Sequence, residues 1–77
     1  MPFPAENIIR DYGMVNEYRK GIARFQHSVF LVEKHGQKKV IIRETSTLIG
    51  TEIRDFEFDK EGTARLQETL SNALKRM

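Results

Sequence analysis

The alternation of apolar and polar positions is sharpest between Ser28 and Glu44. There SVFLVEKHGQKKVIIRE falls into two β-branched, aromatic-rich runs on either side of His35-Gly36. Short runs of this kind, bounded by a glycine, predict two strands joined as a hairpin, Ser28 to Lys34 and Lys38 to Glu44. A two-residue turn that matches the twist of its strands needs positive φ at both central positions. Glycine adopts this freely, and histidine is among the other residues enriched there. A turn centred on His35-Gly36 then sets the register, because side chains alternate with period two. Lys34 faces Gln37, Glu33 faces Lys38, Val32 faces Lys39, Leu31 faces Val40, Phe30 faces Ile41, Val29 faces Ile42 and Ser28 faces Arg43. One side of the ribbon carries Val29, Leu31, Val40 and Ile42, ending in a Glu33-Lys38 pair. The other carries Phe30, Val32 and Ile41, with Lys34, Lys39 and Arg43 around them.

The pattern changes period after Phe58. Leu66, Leu70, Ala73, Leu74 and Met77 form one stripe of a helix over residues 59–77. Asp59 suits the N-cap, Glu61 the first turn, and Lys75 and Arg76 the last, where the macrodipole favours a cation. The stripe needs an apolar partner, and the Val29/Leu31/Val40/Ile42 side of the hairpin offers one. Residues 49–58 predict a further strand. Ile49, Thr51 and Ile53 share one parity and Phe56 and Phe58 the other, a slip that a bulge near Arg54-Asp55 would reconcile. GIARFQ, residues 21–26, predicts a weaker strand; Ile22 and Phe25 do not share a face, which implies a bulge or an edge position. Ile8, Tyr12, Val15 and Tyr18 recur at spacings of four, three and three. That spacing predicts a short helix over residues 5–12, interrupted by Gly13 at a cost near 1 kcal/mol. With Pro2 and Pro4, the first few residues read as an arm.

Together these elements predict one α+β domain over residues 1–77: an N-terminal arm or short helix (1–20), an antiparallel sheet of about four strands (21–58), and a C-terminal amphipathic helix (59–77) packed on one face. Seventy-seven residues make a thin core, with stability of roughly 4–12 kcal/mol at most. Cys is absent, so no disulfide or thiolate metal site can help. His27 and His35 are not spaced as a helical ligand pair, and no metal or cofactor is expected. Association with a second copy is the remaining support for a small core. No apolar run approaches the roughly 20 residues that span a bilayer, and Met1-Pro2-Phe3-Pro4 lacks the pattern of a signal peptide. The expectation is a cytoplasmic chain with no membrane partner.

The net charge of +2 conceals a segregation. Between Asn16 and Arg43 the cations Arg19, Lys20, Arg24, Lys34, Lys38, Lys39 and Arg43 face only Glu17 and Glu33. From Glu44 onward acids prevail, among them Glu52, Asp55, Glu57, Asp59, Glu61 and Glu68. Such asymmetry points to one surface for an anionic partner. Catalytic patterns are missing. The glycines at 13, 21, 36, 50 and 62 are isolated, so there is no phosphate loop. Ser28 and His27 are strand neighbours that point to opposite faces, and Glu52 and Glu57 read as solvated. The expectation is not an enzyme.

If the helix covers one side of the sheet, Phe30, Val32 and Ile41 are left for another partner. An aromatic ringed by cations on a sheet suits single-stranded nucleic acid: a base stacks on the ring and the cations neutralise phosphates. In this reading Phe30 is the stacking platform. Lys34, Lys39 and Arg43 contact phosphate, helped by Arg19, Lys20 and Arg24. The order of elements, SVFLVEKHGQKKVIIRE as central hairpin and then IRDFEFDKEGTARLQETLSNAL as last strand and helix, resembles the Pur-alpha repeat and its whirly-like relatives. The resemblance covers residues 21–77. It implies a curved antiparallel sheet, nucleic-acid contact on that sheet through positions such as Phe30, Lys39 and Arg43, and pairing of two repeats, hence a homodimer for one repeat. The competing reading is a homodimeric protein-interaction domain whose second sheet face is buried against its twin or another protein. A third is a small enzyme subunit that completes a pocket across an interface.

Overall fold

The computed structural model describes residues 6–77 as four strands and a helix: β1 (Glu6–Lys20), β2 (Ala23–Lys34), β3 (Gln37–Thr47), β4 (Thr51–Phe58) and α1 (Lys60–Lys75). The strands form one antiparallel meander in the order β1-β2-β3-β4. The central hairpin follows its turn chemistry. His35 has φ 52° and Gly36 φ 77°, and β2 pairs with β3 from Lys34↔Gln37 to Arg24↔Thr47 without a break. Each pair expected between Ser28 and Arg43 is present.

The four strands are not divided as the apolar runs suggest. Residues 21–26 are not a separate strand: Gly21-Ile22 is a turn, and Ala23 onward is the first part of β2. The fourth strand is β1, so the short N-terminal helix is corrected to a strand from Glu6; the proline-containing arm lies outside the described residues. The cause is visible in the pairing. Fifteen residues of β1 run against twelve of β2, with register breaks that leave Ile9, Tyr12 and Val15 without opposite numbers. Ile8, Asp11, Met14 and Glu17 therefore oppose Val32, Phe30, Ser28 and Gln26, three residues of β1 for every two of β2. A repeat of three along a strand is close to the helical period, but the expected stripe does not form one face: Ile8 opposes Val32 and Tyr18 opposes Phe25, on opposite sides, and Tyr12 and Val15 fall in the bulges. Gly13, at φ 83°, takes the left-handed conformation at the middle break, and its N–H donates to Asp11 Oδ1 at 2.8 Å.

The bulge expected at Arg54-Asp55 is absent. β4 pairs with β3 from Thr47↔Thr51 to Val40↔Phe58 in strict alternation. Ile53, Asp55 and Glu57 belong to the Phe30 side of the sheet, and Phe56 and Phe58 to the Val29 side. The two parities are simply the two faces.

α1 begins as its sequence dictates. The Asp59 carboxylate accepts from Gly62 N–H at 2.7 Å, which satisfies one of the unpaired donors of the first turn. The helix lies on the Val29 side, as parity predicts: Leu31 and Val40 share an open groove of about 840 Å³ with Thr63, Ala64 and Gln67. Yet only Gly62, Thr63 and Leu66 are half-buried on α1, and every residue from Gln67 onward is exposed. The helix meets the sheet through its first two turns and leaves Val29, Leu31, Val40 and Ile42 half-covered. Among the described residues the buried apolar side chains are Phe30, Val32 and Ile41. The side expected to remain open beyond the helix therefore holds the core, while the side expected to be sealed is only partly closed.

Candidate nucleic-acid interface

Six of the seven residues predicted to contact nucleic acid lie on one side of the sheet. Phe30 and Lys34 share it with Arg24 on β2; Lys39 and Arg43 oppose even-numbered β2 residues; Arg19 opposes Arg24 across the β1–β2 turn. Lys20 opposes Ala23 and belongs to the other side. Alternation along regular strands is what gathers residues so far apart in the chain.

The cations on this face do not stand alone. Glu57, opposite Ile41 on β4, accepts from Lys39 Nζ and from Lys34 Nζ, each at 3.2 Å. The Lys34 contact reaches over β3 to join β2 to β4. Arg43 donates through Nε to Asp55 Oδ1 at 2.9 Å and through Nη2 to Oδ2 at 3.2 Å, a two-pronged pairing that fixes the guanidinium plane. The same guanidinium stands 5.0 Å from the centre of the Phe30 ring, a cation–π distance. Arg24 Nε approaches Glu17 Oε2 at 3.8 Å, and Gln26 Nε2 donates to that oxygen at 3.0 Å. Phe30 is only 9% exposed, so its ring is a covered platform, a correction to the open one expected. Among the described residues Arg19 and Lys20 carry no side-chain hydrogen bond or ion pair, and both are exposed.

The charges on Lys39 and Lys34 act on Glu57 in turn. The hydrogen bonds from Lys39 and then Lys34 hold its carboxyl below its ordinary value, against an opposing effect of desolvation that exceeds the effect of either lysine's charge alone. The sequence shows Asp55 as a member of an acidic half, and Glu57 as another that reads as solvated. The β3–β4 register would have placed them, but it depends on the position of the loop. The loop is residues 48–50, and β3 continues to Thr47.

The other side carries a second arrangement. Tyr18 stacks on Phe25 with centroids 4.9 Å apart and planes at 14°, and its ring lies 6.0 Å from that of His27. Asn16 Nδ2 is 3.0 Å from His27 Nδ1, and His27 Nε2 is 3.0 Å from Glu44 Oε2. An amide N–H can only donate, so Nδ1 accepts, and Nε2 carries the proton it gives to Glu44. Phe25 and Phe58 are half-buried, and Phe56 is exposed. Among the described residues no group of His, Cys, Asp or Glu is placed to hold a metal ion, and no helix is long and apolar enough to cross a membrane. On the Phe30 side the side chains pair charge with charge across an open sheet. No protein-family model, curated protein or solved structure matches this chain.

Proposed function

We propose that this chain is a non-enzymatic nucleic-acid-binding module that works as a homodimer and favours single strands. The observation that supports this most is the gathering of Arg19, Arg24, Phe30, Lys34, Lys39 and Arg43 on one side of the sheet. A phosphate chain arriving there first meets Arg19, which among the described residues has no carboxylate partner, with Lys20 beside it at the strand end. It then competes with Glu57 and Asp55 for Lys34, Lys39 and Arg43. That competition makes binding modest, and the release of counterions makes it fall steeply with salt. A base can stack on Phe30 only when Arg43 swings off the ring.

The test is anisotropy of a short fluorescent oligonucleotide, single-stranded and duplex, at low and moderate salt. The expected result is binding at low salt, tighter for the single strand, and weakened several-fold by Lys39→Glu or by Arg19→Glu with Lys20→Glu. No binding at low salt overturns the reading. Phe30→Ala is a poor probe, because emptying a buried aromatic site costs about 3–5 kcal/mol and threatens the fold.

A protein-interaction domain is the second reading, favoured by a different observation. Leu70 and Leu74 on α1, and Met77 just beyond its end, are 59%, 69% and 96% exposed, and the sheet face beside the helix is half-covered. An apolar stripe and an apolar face, both unsealed, require a covering surface. Sedimentation that finds a monomer at every concentration rules out pairing in both readings.

A further inference from the structure

The meander has two edges, β1 and β4. An edge strand presents a row of unpaired N–H and C=O groups and must be blunted or paired. β1 is blunted by its register breaks and by the left-handed Gly13. β4 is not. Its eight residues alternate without a bulge, contain neither Pro nor Gly, and are exposed from Thr51 to Glu57. We propose that β4 pairs antiparallel with β4 of a second copy about a two-fold axis at Ile53, joining two four-stranded sheets into one of eight. The inference rests on the homodimer reading above and supplies its interface.

The side chains choose the register. A two-fold axis perpendicular to the sheet keeps each face on its own side, so opposed residues have equal parity and the axis passes through a residue. An axis at Glu52, Arg54, Asp55 or Glu57 sets a charge against its own copy. One at Phe56 opposes Asp55 to Glu57 of the second copy, twice. One at Thr51 or Phe58 leaves almost no overlap. At Ile53 the isoleucine meets its twin, Thr51 meets Asp55, and Glu52 meets Arg54 at both symmetric positions. Opposite charges directly across an antiparallel pair attract, and like charges repel.

The charges that this register uses are the ones β4 leaves unsatisfied. Among the described residues neither Glu52 nor Arg54 carries a side-chain hydrogen bond or ion pair. Glu44, the in-register neighbour of Arg54, is engaged by His27 at 3.0 Å. The strand's other acids, Asp55 and Glu57, are already held by Arg43 and by Lys39 and Lys34. Ile53 itself is 54% exposed. The axis also keeps both copies of α1 on the same side of the joined sheet, the apolar side that each chain leaves half-covered. It brings the exposed Leu48 and Ile49 of one copy toward the Phe56-Phe58 end of the other.

The full chain tests this by sedimentation equilibrium, with circular dichroism as the check on folding. Wild type is expected as a dimer. Glu52→Arg or Arg54→Glu alone puts like charges at both positions and raises the dissociation constant at least tenfold; the double swap restores it. Ile53→Cys gives a disulfide-linked dimer under diamide, because paired Cα atoms about 4.5–5.5 Å apart are within disulfide reach. Phe56→Cys does not. A dimer indifferent to both single swaps and uncaptured by Ile53→Cys overturns this interface and leaves the homodimer standing. A wild-type monomer overturns the homodimer itself and this interface with it.

Discussion

Glu57 accepts hydrogen bonds from Lys39 and Lys34, and these lower its carboxyl pKa in the folded chain. A carboxyl lowered by folding contributes stability that is complete above its unfolded pKa and is lost as pH falls through the folded value. Both lysines and Glu57 are partly exposed, so solvent screens the gain and keeps it small. The expected outcome is that wild type is more stable than Glu57→Gln at neutral pH, and that the difference closes as pH falls below about 4.3. Urea titrations of both proteins across that range measure it; a difference that persists unchanged into acid contradicts the assignment. The same substitution releases two lysines toward solvent. It is expected to tighten oligonucleotide binding at low salt, opposite in sign to Lys39→Glu. Arg43 is held more rigidly, between the two oxygens of Asp55 and the ring of Phe30, so its release costs more.

At the scale of elements, the central hairpin and the bulged edge show how local conformation sets register. Gly36 is at φ 77°, a conformation that costs a side-chain-bearing residue about 1–2 kcal/mol. Nothing crowds the position, since a Cβ there would meet no atom within 4 Å. Gly36→Val is therefore expected to destabilise by about that amount through backbone strain alone, read as a lower urea midpoint with unchanged slope. A neutral result would mean that the turn changes type. β1 reaches its conformation by another route. Three extra residues bend it along β2, and the bend leaves Ile8, Ile9, Tyr12, Met14, Val15 and Tyr18 all substantially exposed. β4, unbent, is the edge with a regular row of backbone groups to offer.

The whole molecule measures 40 × 38 × 15 Å across its Cα atoms, broad and thin, because α1 runs off the sheet instead of lying along it. Three buried apolar side chains among the described residues are few for a chain of this length, and the exposed stripe of α1 is matched by a half-covered sheet face on the same side. In the proposed dimer both stripes and both half-covered faces lie on the same side of the joined sheet. Leu70→Asp with Leu74→Asp is expected to lower the assembled mass while preserving the strand signal in circular dichroism. An unchanged mass would show that the stripe has no part in assembly.

The His35-Gly36 turn, the register of β2 on β3 and the Asp59 cap were legible in the residues themselves. Each depends on neighbours a few positions apart: a positive φ, a period of two, a carboxylate in reach of an N–H. The alternation by itself also puts Phe30, Lys39 and Arg43 on one side. The β conformation of residues 6–20 was hidden, because a bulge at every third residue of β1 comes close to the helical period. The partners Asp55 and Glu57 were hidden too, because one residue of uncertainty in the β3–β4 loop moves every side chain to the other face. The course of α1 decided which side holds the core. Its stripe specifies an apolar partner but not which surface supplies it, and coverage of a face depends on where distant elements come to lie. The turn, the hairpin register and the helix cap were set by the sequence alone, because each closes within a few residues; burial, and with it the accessibility of Phe30, was decided only by the tertiary structure.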